Sequence, residues 1–235
     1  MKKIVILHQY FNFPTESGST RSFELAQILR EKGWRVIVIS GILDQGIEKR
    51  TGIFKKDGLI MIRRPVKFSN KHSFAKRIID FLYFALISLK LVLRIHPRLI
   101  FVSSTPLSIA IPAIIYKIFT GNQYILEVRD VWPEVPISLG VLKNRYLIKL
   151  AKWLEILAYK NATEIVSLSP GMSKSIIDTH KAAVPIEVPN GIRPGNDVVD
   201  RPRSALLPSP VSSILNADLP FMCYTGTFGH VNDMI

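Results

Sequence analysis

Two kinds of hydrophobic spacing alternate along most of the chain. Short unbroken apolar runs read as strands buried on both faces. Longer stretches with apolar side chains every three or four positions read as helices. Lys3 to Leu7 is the first run, followed by a loop over residues 10–18. Ser19 or Thr20 then stands where a helix cap is wanted, ahead of a helix striped by Leu25, Ile28 and Leu29, and Gly33 stops it. Arg35 to Ser40 is the second run. Two such strands around one helix within some 40 residues form a βαβ unit and imply a parallel sheet.

The same alternation continues. Leu59 to Arg64 reads as a strand ended by Pro65, and Ser73 to Ile95 as a long helix. On its wheel Lys76, Asp80, Lys90 and Arg94 share a narrow arc, opposite Ile79, Leu82, Leu86, Leu89 and Leu93. That apolar face either packs on the sheet or leaves an edge for lipid. Leu99–Val102, a helix over 106–119 and Gln123–Val128 form another βαβ unit. Pro106 suits the first helical turn, whereas Pro112 should kink the interior. A helix over 143–160, a strand from Ile165 to Leu168, a helix from Pro170 capped by Ser169, and a short strand at Ile186–Val188 follow. Residues 193–220 read as a linker, after which Phe221 to Tyr224 starts a new strand. The expected domains are 1–192, the linker 193–220, and the first piece of a second domain at 221–235.

Composition narrows the partners. Of the net charge of +13, residues 49–98 carry nearly all: 13 Lys and Arg against Asp57 and Asp80. Such a block beside apolar surface suits an anionic membrane, at about 1 kcal/mol per basic residue near it. Lys55, Lys56, Arg63, Arg64, Lys76 and Arg77 are the expected contacts. A plain solvated face is the simpler alternative, and no nucleic-acid module is recognisable. The single cysteine, Cys223, excludes an internal disulfide framework and fits a reducing cytoplasm. The amino terminus lacks the pattern of a signal peptide, and no stretch reads as a membrane span.

Three segments land chemistry at strand ends. In the loop of Glu16-Ser17-Gly18-Ser19-Thr20-Arg21, Gly18 lets backbone approach a ligand, and the helix behind it offers N–H groups to an anion. It is neither a dinucleotide fingerprint nor a P-loop; a glycine required by a tight turn is the simpler reading. In Glu127-Val128-Arg129-Asp130-Val131-Trp132-Pro133-Glu134 three acids and an arginine crowd the end of an apolar strand. Asp130 there can accept a hydroxyl proton, while Arg129 pairs with a neighbouring acid or contacts substrate. His8, at the same edge, is either a packed, hydrogen-bonded histidine or an acceptor contact. No His/Cys/Asp cluster has metal-ligand spacing. The third segment, Val188-Pro189-Asn190-Gly191-Ile192, reads as hinge geometry.

Taken in order, these pieces resemble the amino-terminal half of family-4-like glycosyltransferases of the GT-B fold, of the type that builds bacterial O-antigen, capsule or exopolysaccharide. The matching segments are Met1–Tyr10 with the Gly18–Arg21 loop, "ELAQILREKGWRVIVIS", "VSSTPLSIAIPA", "LEVRDVWPE", "VSLSPGM", "VPNGI" and "YTGTFGHVN". The resemblance implies an α/β fold: a Rossmann-like parallel sheet flanked by helices, plus the first strand of a second, truncated domain. It implies sugar transfer with retention from a nucleotide-sugar co-substrate to a lipid-linked saccharide acceptor, without metal or other cofactor. The enzyme would act at the cytoplasmic face of the cytoplasmic membrane. Catalysis would rest on positioning the acceptor hydroxyl and stabilising the departing diphosphate. Arg129-Asp130 would occupy the family's usual His-Asp segment, with Asp130 catalytic and Arg129, Glu134 and His8 on the acceptor side. Gly18, Ser19 and Arg21 would lie near the diphosphate, together with Gly226 and Gly229 of the second domain.

The chain also departs from that pattern. In the family the basic phosphate clamp and the E-x7-E motif lie beyond the place where this sequence ends, and Glu16 and Glu24 share the spacing only by coincidence. Asn190-Gly191 is followed by Ile192-Arg193, where the family usually carries an acid. The expectation is an acceptor-binding half whose donor site is truncated or supplied by a separate chain, inactive alone. The alternative is a non-catalytic module that docks acceptor or membrane.

Overall fold

The computed structural model describes residues 2–16, 18–43, 51–68, 74–181 and 183–191. Met1–Gly191 forms one compact unit. The expected linker, the start of a second domain, Gly226, Gly229 and Cys223 lie outside the described residues.

Eight strands form one sheet: β1 (Lys3–Leu7), β2 (Arg35–Leu43), β3 (Gly52–Lys56), β4 (Leu59–Phe68), β5 (Leu99–Ser104), β6 (Gln123–Val128), β7 (Glu164–Ser167) and β8 (Ile186–Glu187). Their order is β3-β4-β2-β1-β5-β6-β7-β8, parallel throughout except for the antiparallel β3–β4 pair. The helices are α1 (Arg21–Glu31), α2 (Phe74–Ile95), α3 (Ala110–Thr120), α4 (Glu134–Ser138), α5 (Arg145–Asn161) and α6 (Pro170–Thr179), with a 3-10 turn at Leu107–Ile109.

Alternation within β1 builds two cores. Ile4 and Ile6 enter a cluster with Val36, Val38, Phe11, Phe13 and Ala26 of α1. Val5 and Leu7 enter the other, with Phe84 and Val92 of α2 and Ala110 and Ala113 of α3. Central strands buried on both faces produce the unbroken apolar runs of the sequence.

Local chemistry explains where the structure departs from expectation. Strand β4 runs through Pro65 because its pairing with β2 slips between Ser40 and Ile42, where no ladder N–H is needed from the proline. Pro112 does not kink a helix: α3 begins at Ala110, so Pro112 lies in the first turn, where an N–H has no partner to lose. The β3–β4 hairpin, absent from the sequence reading, turns on Asp57-Gly58, both at positive φ (50° and 77°). Thr20 stands at the cap position of α1 with φ −93° and ψ 1°, and its side chain caps nothing. That conformation is far from the extended one a capping hydroxyl needs. Ser169 does cap α6, accepting from Met172 N. The expected apolar face of α2 is not its buried one: Ile79, Leu82, Leu86 and Leu93 are exposed beside Tyr83 and Leu89 is half-buried, whereas Phe84, Leu91 and Val92, from other positions on the wheel, enter the core. Among the described residues no helix is long and apolar enough to cross a membrane.

Candidate functional site

Strand order reverses between β1 and β5, since β2 lies on one side of β1 and β6 beyond β5 on the other. In an open α/β sheet the carboxyl ends at such a reversal leave a crevice. The loop after β1 carries His8 to Thr20, the loop after β5 carries Thr105-Pro106, and the loop after β6 carries Arg129 to Pro133. Gly18 and Asp130 therefore share one rim.

Asp130 is exposed there. The single proton of the Thr105 hydroxyl is shared between two acceptors, Asp130 Oδ2 at 3.0 Å and the carbonyl of Ser104. Ser104 Oγ accepts from the Arg129 amide at 3.2 Å, so the end of β5 fixes the backbone just before the aspartate. Arg129 Nη1 lies 3.3 Å from His8 Nε2. Full burial, and secondly the Arg129 charge, push the His8 imidazole down to a pKa of about 3, leaving it neutral. A guanidinium only donates, so Nε2 accepts and Nδ1 carries the proton. Among the described residues that N–H has no hydrogen-bond partner, nor does the buried side-chain amide of Gln9. His8 is thus the packed histidine of the simpler reading, and it orients Arg129.

The turn at Gly18 is held from below. Gly18 has φ +129°, and a Cβ there would collide with the Asn12 side-chain amide. Glu16 Oε2 accepts from the Phe13 amide at 2.8 Å, and its carboxylate receives Arg63 Nη1 at 3.2 Å and Nη2 at 3.4 Å. Both side chains are 4% exposed. This corrects the reading of Arg63 as a membrane-facing cation: it is a buried ion-pair partner that anchors the loop. Lys55 and Lys76 are exposed, and Lys56 lies over the Phe13 ring at 4.3 Å. The Thr20 side chain leaves the start of α1 uncapped, and the first turn of that helix follows Gly18 and Ser19 on the rim side.

Arg21 and Glu134 also serve duties that the sequence reading did not assign. Arg21 donates Nε to Glu127 Oε1 at 2.7 Å, Nη1 to the Pro189 carbonyl at 2.8 Å and Nη2 to the Val188 carbonyl at 2.9 Å. Three of its five donors are committed to protein, so it is first a tie between α1, β6 and the exit from β8 rather than a freely offered phosphate ligand. Glu127, 2% exposed, also accepts from Ser103 Oγ at 2.7 Å. Glu134 is turned toward α5, 3.9 Å from Lys152 Nζ. Its charge, after burial, helps raise the Glu155 carboxyl to a pKa of about 7, while a bond from Tyr159 and the Lys152 charge oppose the rise. Sequence reasoning missed Thr105 and the buried duties of Glu16 and Glu127. The usable signal for Thr105 was its place directly after the apolar run of β5. Among the described residues no group of three or more His, Cys, Asp or Glu is gathered as a metal ligand set.

No protein-family model and no curated protein matches the sequence. Solved structures do match the fold. A sucrose-phosphate synthase from Thermosynechococcus elongatus aligns at TM-score 0.58 and 12% identity, over 82% of this chain and 49% of that one. A shorter structure of that enzyme aligns at 0.55 and 12%, over 81% and 90%. The catalytic domain of starch synthase IV from Arabidopsis thaliana, bound to ADP and acarbose, aligns at 0.53 and 14%, over 81% and 52%. The chain spans about half the length of the two larger structures. Its sheet and flanking helices have the fold of one Rossmann-like domain of the GT-B glycosyltransferases.

Proposed function

We propose that the chain is the acceptor side of a glycosyltransferase that moves a sugar from a nucleotide-sugar donor to a lipid-linked saccharide. The observation that carries this reading is Asp130, an exposed carboxylate set by Thr105 at the switch point, on the rim that also holds Gly18. Asp130 takes the hydrogen bond of the acceptor hydroxyl and orients it toward the donor sugar. Arg129, steadied by neutral His8, lines the acceptor side. Gly18, Ser19 and the uncapped first turn of α1 face the donor diphosphate, favouring the charge that develops on it. A second Rossmann-like domain, outside residues 1–191, completes the donor site.

The finer statements rest on the resemblance of the motifs: surface-polysaccharide assembly, retention of configuration, and no metal or other cofactor beyond the co-substrate. Peripheral attachment at the cytoplasmic face of the membrane is supported by the exposed apolar edge of α2 beside Lys76, Lys90 and Arg94, and by the exposed Lys55 on the β3–β4 hairpin; Arg64, half-buried on β4, adds less. Solved neighbours lend support of a general kind, one of them holding ADP and acarbose.

The test is Asp130→Ala in the complete two-domain enzyme. A fall in kcat of about a hundredfold or more, with donor KM nearly unchanged, is expected for a group acting on the acceptor hydroxyl. An unchanged kcat with a raised donor KM refutes the assignment. Acceptor binding without transfer by any complete assembly favours the non-catalytic module instead.

A further inference from the structure

A pocket of about 420 Å³ lies beside the rim, between α2, the segment after α4, and α5. That volume lies within the range of small-molecule sites. Its walls are almost wholly apolar, including Phe81, Leu107, Leu142, Ala151 and Leu154. Arg77 is the one charged residue among the described lining side chains. Two further members belong to the rim itself: Tyr10, from the loop after β1, and Thr105, the residue that donates to Asp130. Burial raises the pKa of the Tyr10 phenol, which therefore stays neutral. Away from the rim the lining runs out to the surface through Leu82, Leu139, Val141 and Leu150, each between 43% and 57% exposed. On the same two helices, α2 and α5, Ile79, Leu86 and Trp153 are exposed by 58% or more.

A saccharide would find few hydrogen-bonding partners along such walls. A hydrocarbon chain fits them: it buries apolar surface at both its edges, and its polar head meets Tyr10, Arg77 and Thr105 at the rim. We infer that this pocket holds the first part of the hydrocarbon chain of an amphipathic acceptor, with the head group delivered to Asp130 through Thr105. The inference rests on the sugar-transfer reading for the word acceptor, and on the pocket alone for the chain. The exposed apolar residues at its mouth then mark where the rest of the chain continues toward the bilayer.

The experiment is calorimetric titration of the full 235-residue chain with farnesyl phosphate below its micellar concentration, against inorganic phosphate. Farnesyl phosphate is expected to bind at least tenfold more tightly, with a negative heat-capacity change from apolar burial. Ala151→Trp, which fills the pocket, should weaken that binding tenfold or more. Leu150→Gln, at an exposed position that tolerates change, should weaken it severalfold even if the tryptophan variant misfolds. Phe119→Ser, 78% exposed on α3 and outside the pocket, should leave it unchanged. Equal affinity for the two probes overturns the inference, as does wild-type farnesyl phosphate binding in both pocket variants. So does a loss confined to vesicle binding, which would make this surface a plain bilayer contact. Equal transfer by the complete enzyme to saccharides with and without a chain also overturns it, while leaving sugar transfer standing. Farnesyl phosphate binding with no sugar transfer by the complete two-domain enzyme sinks the catalytic reading and the word acceptor, and leaves the hydrocarbon site supported.

Discussion

Replacing Arg63 with methionine separates two roles that sequence alone could not. In the structure the guanidinium and the Glu16 carboxylate are each 4% exposed and meet through two contacts of 3.2 and 3.4 Å. Arg63→Met leaves that carboxylate buried with the Phe13 amide as its remaining donor among the bonds described above. Removing one member of a buried ion pair costs about 3–5 kcal/mol, because the other charge stays behind without water. For a unit of this size each kcal/mol lowers Tm by about 2–4 °C, so the expected fall is roughly 6–20 °C. Adding Glu16→Gln removes the stranded charge and should restore at least about half of the loss. The assay is thermal and urea unfolding followed by tryptophan fluorescence, with anionic-vesicle binding measured on the same proteins. A surface cation would behave differently: stability within about 0.5 kcal/mol, and about 1 kcal/mol less vesicle binding. That pattern for Arg63→Met would refute the reasoning, and it is the pattern expected instead for Lys55→Ser.

Two further outcomes follow from the same geometry. The neutral buried His8 has a folded-state pKa of about 3 against 6.5, so the stability it contributes is full above pH 6.5 and is lost as pH falls toward 3. Glu155, raised from 4.5 to about 7, acts in the opposite sense: stability falls as pH rises from 4.5 to 7. The two oppose each other between pH 4.5 and 6.5, so Glu155→Gln should expose a stability that climbs with pH from 3 to 6.5 in urea titrations; a flat profile in that variant would contradict the burial of His8. Gly18→Ala must strain a φ of +129° and displace Asn12, so a loss of about 1–3 kcal/mol is expected, with Gly18→Ala/Asn12→Ala recovering only the steric part. Full recovery in the double variant would mean that the backbone at Gly18 is unstrained.

The periodic parts of the fold were legible, and the paired parts were not. Unbroken runs such as Val36–Ile39 and stops such as Gly33 report burial and backbone conformation directly, so the βαβ frame and the shared rim could be read from residue types. The β3–β4 hairpin was missed because its strands mix Lys with apolar residues, although Asp57-Gly58 is a turn signature. Arg63, Glu16, Arg21 and Glu127 were beyond reach for a different reason. Arg21 and Glu127 lie 106 positions apart and Arg63 and Glu16 47 apart, and no local pattern says which buried carboxylate a given arginine will meet. The charge block over 49–98 therefore overstated its surface cations by at least the one that is buried. The place of Asp130 at the end of an apolar strand could be read from β6 alone, whereas its bond from Thr105 could not, because Thr105 arrives from the adjacent strand.

The grip of Arg21 on the carbonyls of Val188 and Pro189 has a mechanical consequence. Those two peptides are clamped to the base of α1, the same helix whose start faces the glycine turn. Val188 and Pro189 therefore cannot turn away from α1 unless one guanidinium releases both carbonyls. Cutting that clamp would free both peptides at once and leave buried Glu127 without its arginine.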